Sequence, residues 1–333
     1  GSHLDTQPTG GRFDGVFGVL AGLEIVRTLN DLGIETERPI EVVCWTNEEG
    51  SRFAPSMVAS GVFAGKFALA DVLLTTDVDG LTMGAELERI GYAGDLPVGG
   101  RPFHAYIEAH IEPILEAADR TIGIVTGGQG MRWYELVLTG VESHAGTTPM
   151  ERRKDALLGA ARLVERANRI GLDHAPDGRT TVGMIDSYPN SRNVIPGRVF
   201  LTFDFRHPEE EALVAMDAAL RAAIAETAGA IGLAVEFREV LNSPPVPFDP
   251  GCIAAIRNAA DKHDFAAREI ISGAGHDACN IAAVAPSAMI FIPCVDGISH
   301  NEIEDIKPEW SDAGGQVLLD AMLELASEPA GND

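Results

Sequence analysis

The sequence predicts an α/β protein in two domains, one inserted into the other. Three observations lead there. The chain has 333 residues, longer than the ~250–300 at which single cores stop growing. Near its start a helical pattern gives way to a continuous β-rich run and then a polar loop. Its middle third reads β-α-β-β-α-β, the split βαβ unit of ferredoxin-like folds, with two helices on one face of a small sheet.

In order, Val16 to Leu32 carry apolar residues at helical spacing and stop at Gly33, a helix-ending signal. "IEVVCWT", Ile40 to Thr46, is expected to be a strand buried on both faces. The polar loop "NEEGSRF" follows it directly, and in open α/β sheets the carboxyl ends of strands carry the active site. From Gln129 the texture changes. "GMRWYELVLTG" alternates like a half-buried strand, and "DALLGAARLVERANRIG" is amphipathic. Two further strands flank a Pro/Asn/Gly turn between Thr180 and Arg206. A long helix over "EEEALVAMDAALRAAIAETAGAIG" and the strand "LAVEFREV" complete the unit. The inserted domain is therefore expected over residues 124–240, between catalytic-domain parts at 1–123 and 241–333. The Pro-rich linker "NSPPVPFDPG" marks the return, and the tail from Ser327 is expected to fray.

Composition narrows the function classes. The chain is 45% hydrophobic and 23% charged with net charge −25, a globular composition that repels nucleic-acid backbones and anionic membrane surfaces. Neither partner is expected. The four cysteines, Cys44, Cys252, Cys279 and Cys294, form no C-x-x-C pair. Cys44 and Cys294 lie in apolar runs and are expected to be buried thiols. No disulfide is expected, which suits a reducing, cytoplasmic location.

Four stretches carry candidate metal ligands: "SHLD…FDG", "NEEG", "EAHIE" and "GISHNE". Each is weak alone. An isolated His110 or a Glu48-Glu49 doublet is ordinary in any protein. Position strengthens them, because "NEEG" follows one apolar strand and "GISHNE" follows another, "AMIFIPCV". Both should reach the carboxyl edge of one sheet, where paired carboxylates need a cation or a proton.

Together with "SHAGTTPM", "NVIPGRV…DFRHP" and "GAGHDA", these segments resemble the M20-type amidohydrolases, in order and over essentially the whole chain. The similarity is greatest to the branch of N-carbamoyl-L-amino-acid hydrolases, β-ureidopropionases and allantoate amidohydrolases. The resemblance implies a mixed-sheet di-metal catalytic domain with the inserted domain as lid and dimerisation surface. Gly-Ser-His can be a tag remnant, but the resemblance runs through Gly1 and Ser2 and makes His3 a ligand. It also implies a further segment before Gly1. One departure is local: where the family reads His-Ile-Glu-Gln-Gly-Pro-Ile-Leu-Glu, this chain reads "HIEPILE" from His110 to Glu116. The missing Gln is a substrate contact in relatives.

By resemblance, two divalent ions are held per chain, with His3 and His110 on one, Glu49 and His300 on the other, and Asp14 bridging. Imidazole and carboxylate ligands suit Zn²⁺, Mn²⁺, Co²⁺ or Ni²⁺. Asp5 would orient His3. Glu48 would be the general base, and His144 would hold the oxyanion. Asn193, Arg206 and His276 would meet the substrate, Arg206 through its carboxylate. His104, His174, His207 and His263 match no motif and are expected to be structural. The implied reaction is hydrolysis of an N-carbamoyl-L-amino acid to amino acid, ammonia and CO₂, by a homodimer joined through the inserted domain. Allantoate amidohydrolase and β-ureidopropionase are the alternatives within enzymes, and an inactive substrate-binding relative is the alternative outside them.

Overall fold

The computed structural model describes residues 1–327; the tail beyond Ser327 lies outside them. The chain divides into two compact units, Gly1–Gly128 with Pro247–Asp333, and Gln129–Val246. These limits lie a few residues from the expected 124 and 240. Ile124 to Gly128 belong to a strand of the first unit's sheet, and the last strand of the second unit runs on to Ser243.

The first unit opens with β1 (Ser2–His3), α1 (Val16–Leu32) and β2 (Cys44–Trp45). Short helices α2 (Val58–Phe63), α3 (Leu69–Leu73) and α4 (Met83–Ile90) follow. Then come β3 (Tyr106–Glu112), α5 (Ile114–Ala117) and β4 (Ile122–Gly128). The second unit holds β5 (Gly130–Thr139), β6 (Ser143–His144), α6 (Ala156–Asp173), β7 (Arg179–Thr181) and β8 (Ile185–Tyr188). It ends with β9 (Val194–Ile195), β10 (Arg198–His207), α7 (Glu210–Ile231) and β11 (Ala234–Ser243). The chain returns through β12 (Val246–Pro247), α8 (Pro250–Lys262), β13 (Ala267–Ser272), α9 (Asp277–Ile281), β14 (Ser287–Pro293) and α10 (Pro308–Ala326).

In the first unit β13, β4, β14 and β3 pair in that order. β14 is antiparallel to β4 and parallel to β3, so the sheet is mixed. All seven residues of β14 are buried, as befits a strand covered on both faces. Helix α1 buries Phe17, Ala21, Ile25 and Leu29, one every fourth residue, and stops where Gly33 turns left-handed at φ 63°.

One expected strand is much shorter than predicted. Of Ile40–Thr46 only Cys44–Trp45 is strand, and Cys44 is exposed rather than buried. The reason is pairing. On one side the segment meets only β1, with Ser2 against Cys44 and His3 against Trp45. On the other it borders a cavity of about 470 Å³ lined by Ile40, Val43, Phe63, Phe103, Tyr106 and Leu325. A strand without a second neighbour keeps few ladder hydrogen bonds. Cys294 is buried as expected, and all four thiols are free.

The second unit forms a sheet in the order β11-β5-β10-β7, with β8 also on β10. Strand β5 alternates: Tyr134, Leu136 and Leu138 are buried, while Trp133 and Thr139 are exposed. On β10, Val199, Leu201, Phe203 and Phe205 face the same core as Ala160 and Leu163 of α6 and Leu213, Met216 and Leu220 of α7. Residues 204 and 206 therefore occupy the opposite face. Asp155 caps α6 by accepting from the Leu158 amide at 3.0 Å. Among the described residues, no helix is long and apolar enough to cross a membrane.

Candidate metal centre

The candidate ligands of the first unit converge at strand ends. His3 closes β1, and His110 lies near the carboxyl end of β3. Glu48 and Glu49 follow β2 through a turn in which Asn47 takes a left-handed φ of 59° and its amide donates to the Phe53 carbonyl at 2.7 Å. Asn tolerates that conformation better than most residues. His300 follows β14 and also sits left-handed, at φ 54°, an uncommon conformation for His. Asp14 precedes α1, and Gly15 after it has φ 71°. A Cβ at Gly15 would stand 2.4 Å from the His3 ring, so only glycine lets the imidazole approach.

Asp14 is the hub. It is 2% exposed. One carboxylate oxygen lies 3.0 Å from His110 Nε2 and the other 2.9 Å from His300 Nε2. Two groups form around it, His3–Asp14–His110 and Asp14–Glu49–His300, each with ligand atoms within 4.8 Å of one another. The donor chemistry fits a cation. His3 Nδ1 lies 2.9 Å from the Asp5 carbonyl and His110 Nδ1 lies 3.1 Å from the Ile111 carbonyl. Carbonyls only accept, so each Nδ1 carries the hydrogen and each Nε2 is left as the inward ligand atom. The two Nε2 atoms face each other at 3.5 Å, which neutral imidazoles tolerate only around a cation or proton. Glu49 keeps one buried oxygen without a hydrogen-bond partner, while Gln7 donates to the other at 2.7 Å.

Electrostatics say the same. Burial works against an ionised Asp14, yet hydrogen bonds from His110 and His300 hold it well below the usual carboxylate range. Burial also opposes a charged His110, but the Asp14 carboxylate raises it to about 10. Asp14 likewise raises His300. A divalent cation bound among these groups would take the place of those protons.

Glu48 is 7% exposed, with its carboxylate 3.6 Å from His3 Nε2. Burial, followed by the charge of Asp277, pushes it up to about 10; a cation beside it would lower that value. Asp5 lies beside His3, with a carboxylate oxygen 3.9 Å from His3 Nδ1. Its backbone carbonyl holds His3, while its carboxylate accepts from the Glu48 and Glu49 amides at 3.1 Å each. His276 is 5% exposed, packs edge-on to His110 at 4.7 Å, and has Nε2 2.9 Å from Ser272 Oγ. That placement sets the His276 ring against His110 and engages its Nε2 with Ser272. At the departure from the family pattern, β3 passes into α5 through Pro113 alone.

The second unit carries the remaining candidates. His144 is exposed, and its Nδ1 accepts from the Gly146 and Thr147 amides at 3.0 and 3.2 Å. An accepting Nδ1 leaves the proton on Nε2 as an outward donor. Asn193 is adjacent, its carbonyl accepting from the Ala145 amide at 2.9 Å. Arg206 is not with them. It lies eight residues along β10 from Arg198, about 27 Å at ~3.4 Å per residue, whereas β6 and β9 lie beyond the Arg198 end. Its Nε and Nη2 already donate to Asp204, at 3.0 and 2.7 Å.

Sequence reasoning gave no role to Gln7, Glu108, Asp204 or Glu304, although "EAHIE" begins at Glu108 and "DFRHP" at Asp204. Glu108 is fully buried and accepts from Ser2 Oγ, Tyr106 OH and the Ala278 amide. Its signal was a charged residue inside an apolar strand. Glu304 sits in a polar run and gave none.

Comparison with known proteins decides the family. Residues 1–324 match the model of peptidase family M20/M25/M40. The chain belongs to that family. It is a hydrolase by that membership. An N-carbamoyl-L-amino-acid amidohydrolase of Rhizobium meliloti is 51% identical over 98% of this chain and 79% of its own length. An allantoate amidohydrolase of Bacillus subtilis is 34% identical over 98% of this chain and 80% of its own. Among solved structures, a hydantoinase/carbamoylase family amidase from Burkholderia multivorans superposes with TM-score 0.94 at 64% identity, covering 99% of this chain and 81% of that one. The mixed α/β architecture is the one this M20 chain shares with that amidase.

Proposed function

We propose that this M20 chain hydrolyses the carbamoyl C–N bond of N-carbamoyl-L-amino acids, giving the amino acid, ammonia and CO₂. The observation that carries the reading is Asp14, a buried carboxylate with an imidazole on each oxygen and a ligand group on each side. His3 and His110 would hold one divalent ion, Glu49 and His300 the other, with Asp14 shared. Zn²⁺, Mn²⁺, Co²⁺ or Ni²⁺ bound there would supply Lewis acidity toward the ureido oxygen and toward water.

The chain's own groups do the rest. Glu48 takes a proton from the attacking water as its oxygen bonds to the carbamoyl carbon. It returns that proton to the terminal nitrogen as the C–N bond breaks and ammonia leaves. The carbamate left on the amino acid then loses CO₂. The His144 Nε2–H donates to the developing oxyanion. Asn193 and Arg206 bind the substrate carboxylate.

The separation within the second unit supports a homodimer. One ureido acid is far shorter than the distance from Arg206 to His144 and Asn193, so the two ends of this sheet serve different substrate molecules. A second copy supplies His144 and Asn193 to the site that Arg206 serves. The four free thiols suit a cytoplasmic enzyme.

The test is ammonia release from an N-carbamoyl-L-amino acid by protein stripped with a chelator and then reloaded. Activity lost on stripping and restored by a divalent ion supports the reading. Full activity in the stripped protein contradicts it.

A further inference from the structure

We propose that Glu304 is a positioning residue of the metal centre, fixing Asp14 in place and adding negative charge behind it. The inference rests on Asp14 being a ligand. Glu304 is 0% exposed. Its Oε1 accepts from the Phe13 amide at 2.8 Å and the Asp14 amide at 3.1 Å. The segment between Gly11 and Asp14 is folded onto it. Arg12 donates to the Glu304 carbonyl at 3.2 Å and pairs with Asp305 at 3.4 Å. A Cβ at Gly11 would stand 2.0 Å from the Glu304 carboxylate, so glycine is what allows this close approach. Glu304 thus ties the loop bearing Asp14 to the segment four residues after His300, the other imidazole partner of Asp14.

Geometry alone would not require a carboxylate. An amide oxygen could accept the same two N–H groups. Glu304 instead buries a carboxyl group whose Oε2 has no hydrogen-bond partner, and no basic side chain pairs with either oxygen among the described residues. Buried in its charged form, such a group is unfavourable unless a cation compensates it. The loop Glu304 holds carries Asp14, whose two oxygens lie 3.0 Å from His110 Nε2 and 2.9 Å from His300 Nε2. A cation bound at Asp14 would offset the burial of Glu304, and Glu304 would in turn hold the cation more tightly. A plain helix-entry cap for α1 would need the two hydrogen bonds but not the charge.

The experiment compares the full chain with Glu304→Gln, Glu304→Asp and Asp14→Ala. Each is stripped by chelator and titrated with Zn²⁺ against a chromophoric chelator, with melting followed with and without Zn²⁺. Glu304→Gln keeps an acceptor and loses the charge. It should melt near wild type when metal-free, yet bind Zn²⁺ about 10–100-fold more weakly, as loss of groups supporting a metal ligand does. Its Zn²⁺-induced rise in Tm should shrink. Glu304→Asp keeps the charge but withdraws it from the two amides, and it too should bind more weakly. It carries the test alone if Glu304→Gln does not accumulate. A purely structural role would lower the metal-free and loaded melting points together and leave affinity unchanged, and that result overturns the proposal. If Asp14→Ala binds Zn²⁺ like wild type, the reading of the centre fails first. If Asp14→Ala loses the metal while both Glu304 variants keep wild-type affinity, only the Glu304 inference fails.

Discussion

Glu48 and Asp14 are neighbours in chemistry and opposites in environment. Both are buried carboxylates, yet Asp14 is held ionised by two imidazoles while Glu48 is driven toward its protonated form by burial and by Asp277. The ionised group is suited to ligate and the other to carry a proton. Glu48→Gln should therefore keep its metal content and lose about 10²–10⁴-fold in kcat, the usual weight of general acid–base catalysis; paired metal analysis and kinetics check both halves. Asp14→Ala should lose the metal and activity together. A Glu48→Gln enzyme of normal kcat would move the base elsewhere. The ligand candidates were legible because each occupied a short motif at the end of a recognisable apolar run. Glu304 was not legible, since burial of one acid in "SHNEIEDIK" is decided by a loop some 290 residues earlier. For the same reason the two backbone amides that the Asp5 carboxylate also accepts from, those of Glu48 and Glu49, were not legible.

At the scale of the element, β10 sets a core residue beside the proposed carboxylate-binding Arg206. Phe205 is 0% exposed in the core under α6 and α7, while Arg206 lies on the other face with Asp204. Phe205→Ala should cost about 3–5 kcal/mol, the range for emptying a buried aromatic site, read as a fall in Tm. Arg206→Ala should leave Tm nearly unchanged, because its ion pair is partly exposed and such pairs contribute little. It should instead raise KM for substrates with a free carboxylate. A large loss of Tm in Arg206→Ala would make the Arg206–Asp204 pair structural. Periodicity made the alternation of β5 and β10 legible, because each of these strands has a partner on both sides. It misjudged Ile40–Val43, where composition favoured a strand but no second neighbour supplied hydrogen bonds.

For the whole molecule, the order of motifs along the chain said nothing of which substrate each one serves. Register sets His144 and Asn193 beyond one end of β10 and Arg206 at the other, which is what the proposed dimer rests on. Glu48→Gln and His144→Ala, each inactive alone, should therefore complement when unfolded and refolded together. Random pairing makes half the dimers mixed, each with one intact site of two, so recovery should reach about a quarter of wild type. No recovery would mean that Glu48 and His144 of one copy serve the same substrate. Beneath the proposed dimer lies the claim about chemistry, and a substrate panel on metal-loaded protein tests it most directly. Ammonia release is measured from N-carbamoyl-L-amino acids, N-carbamoyl-β-alanine and allantoate, for wild type and Asp14→Ala. The account predicts the highest kcat/KM for an N-carbamoyl-L-amino acid, and background rates throughout for Asp14→Ala. Faster turnover of allantoate, or undiminished release by Asp14→Ala, would contradict it.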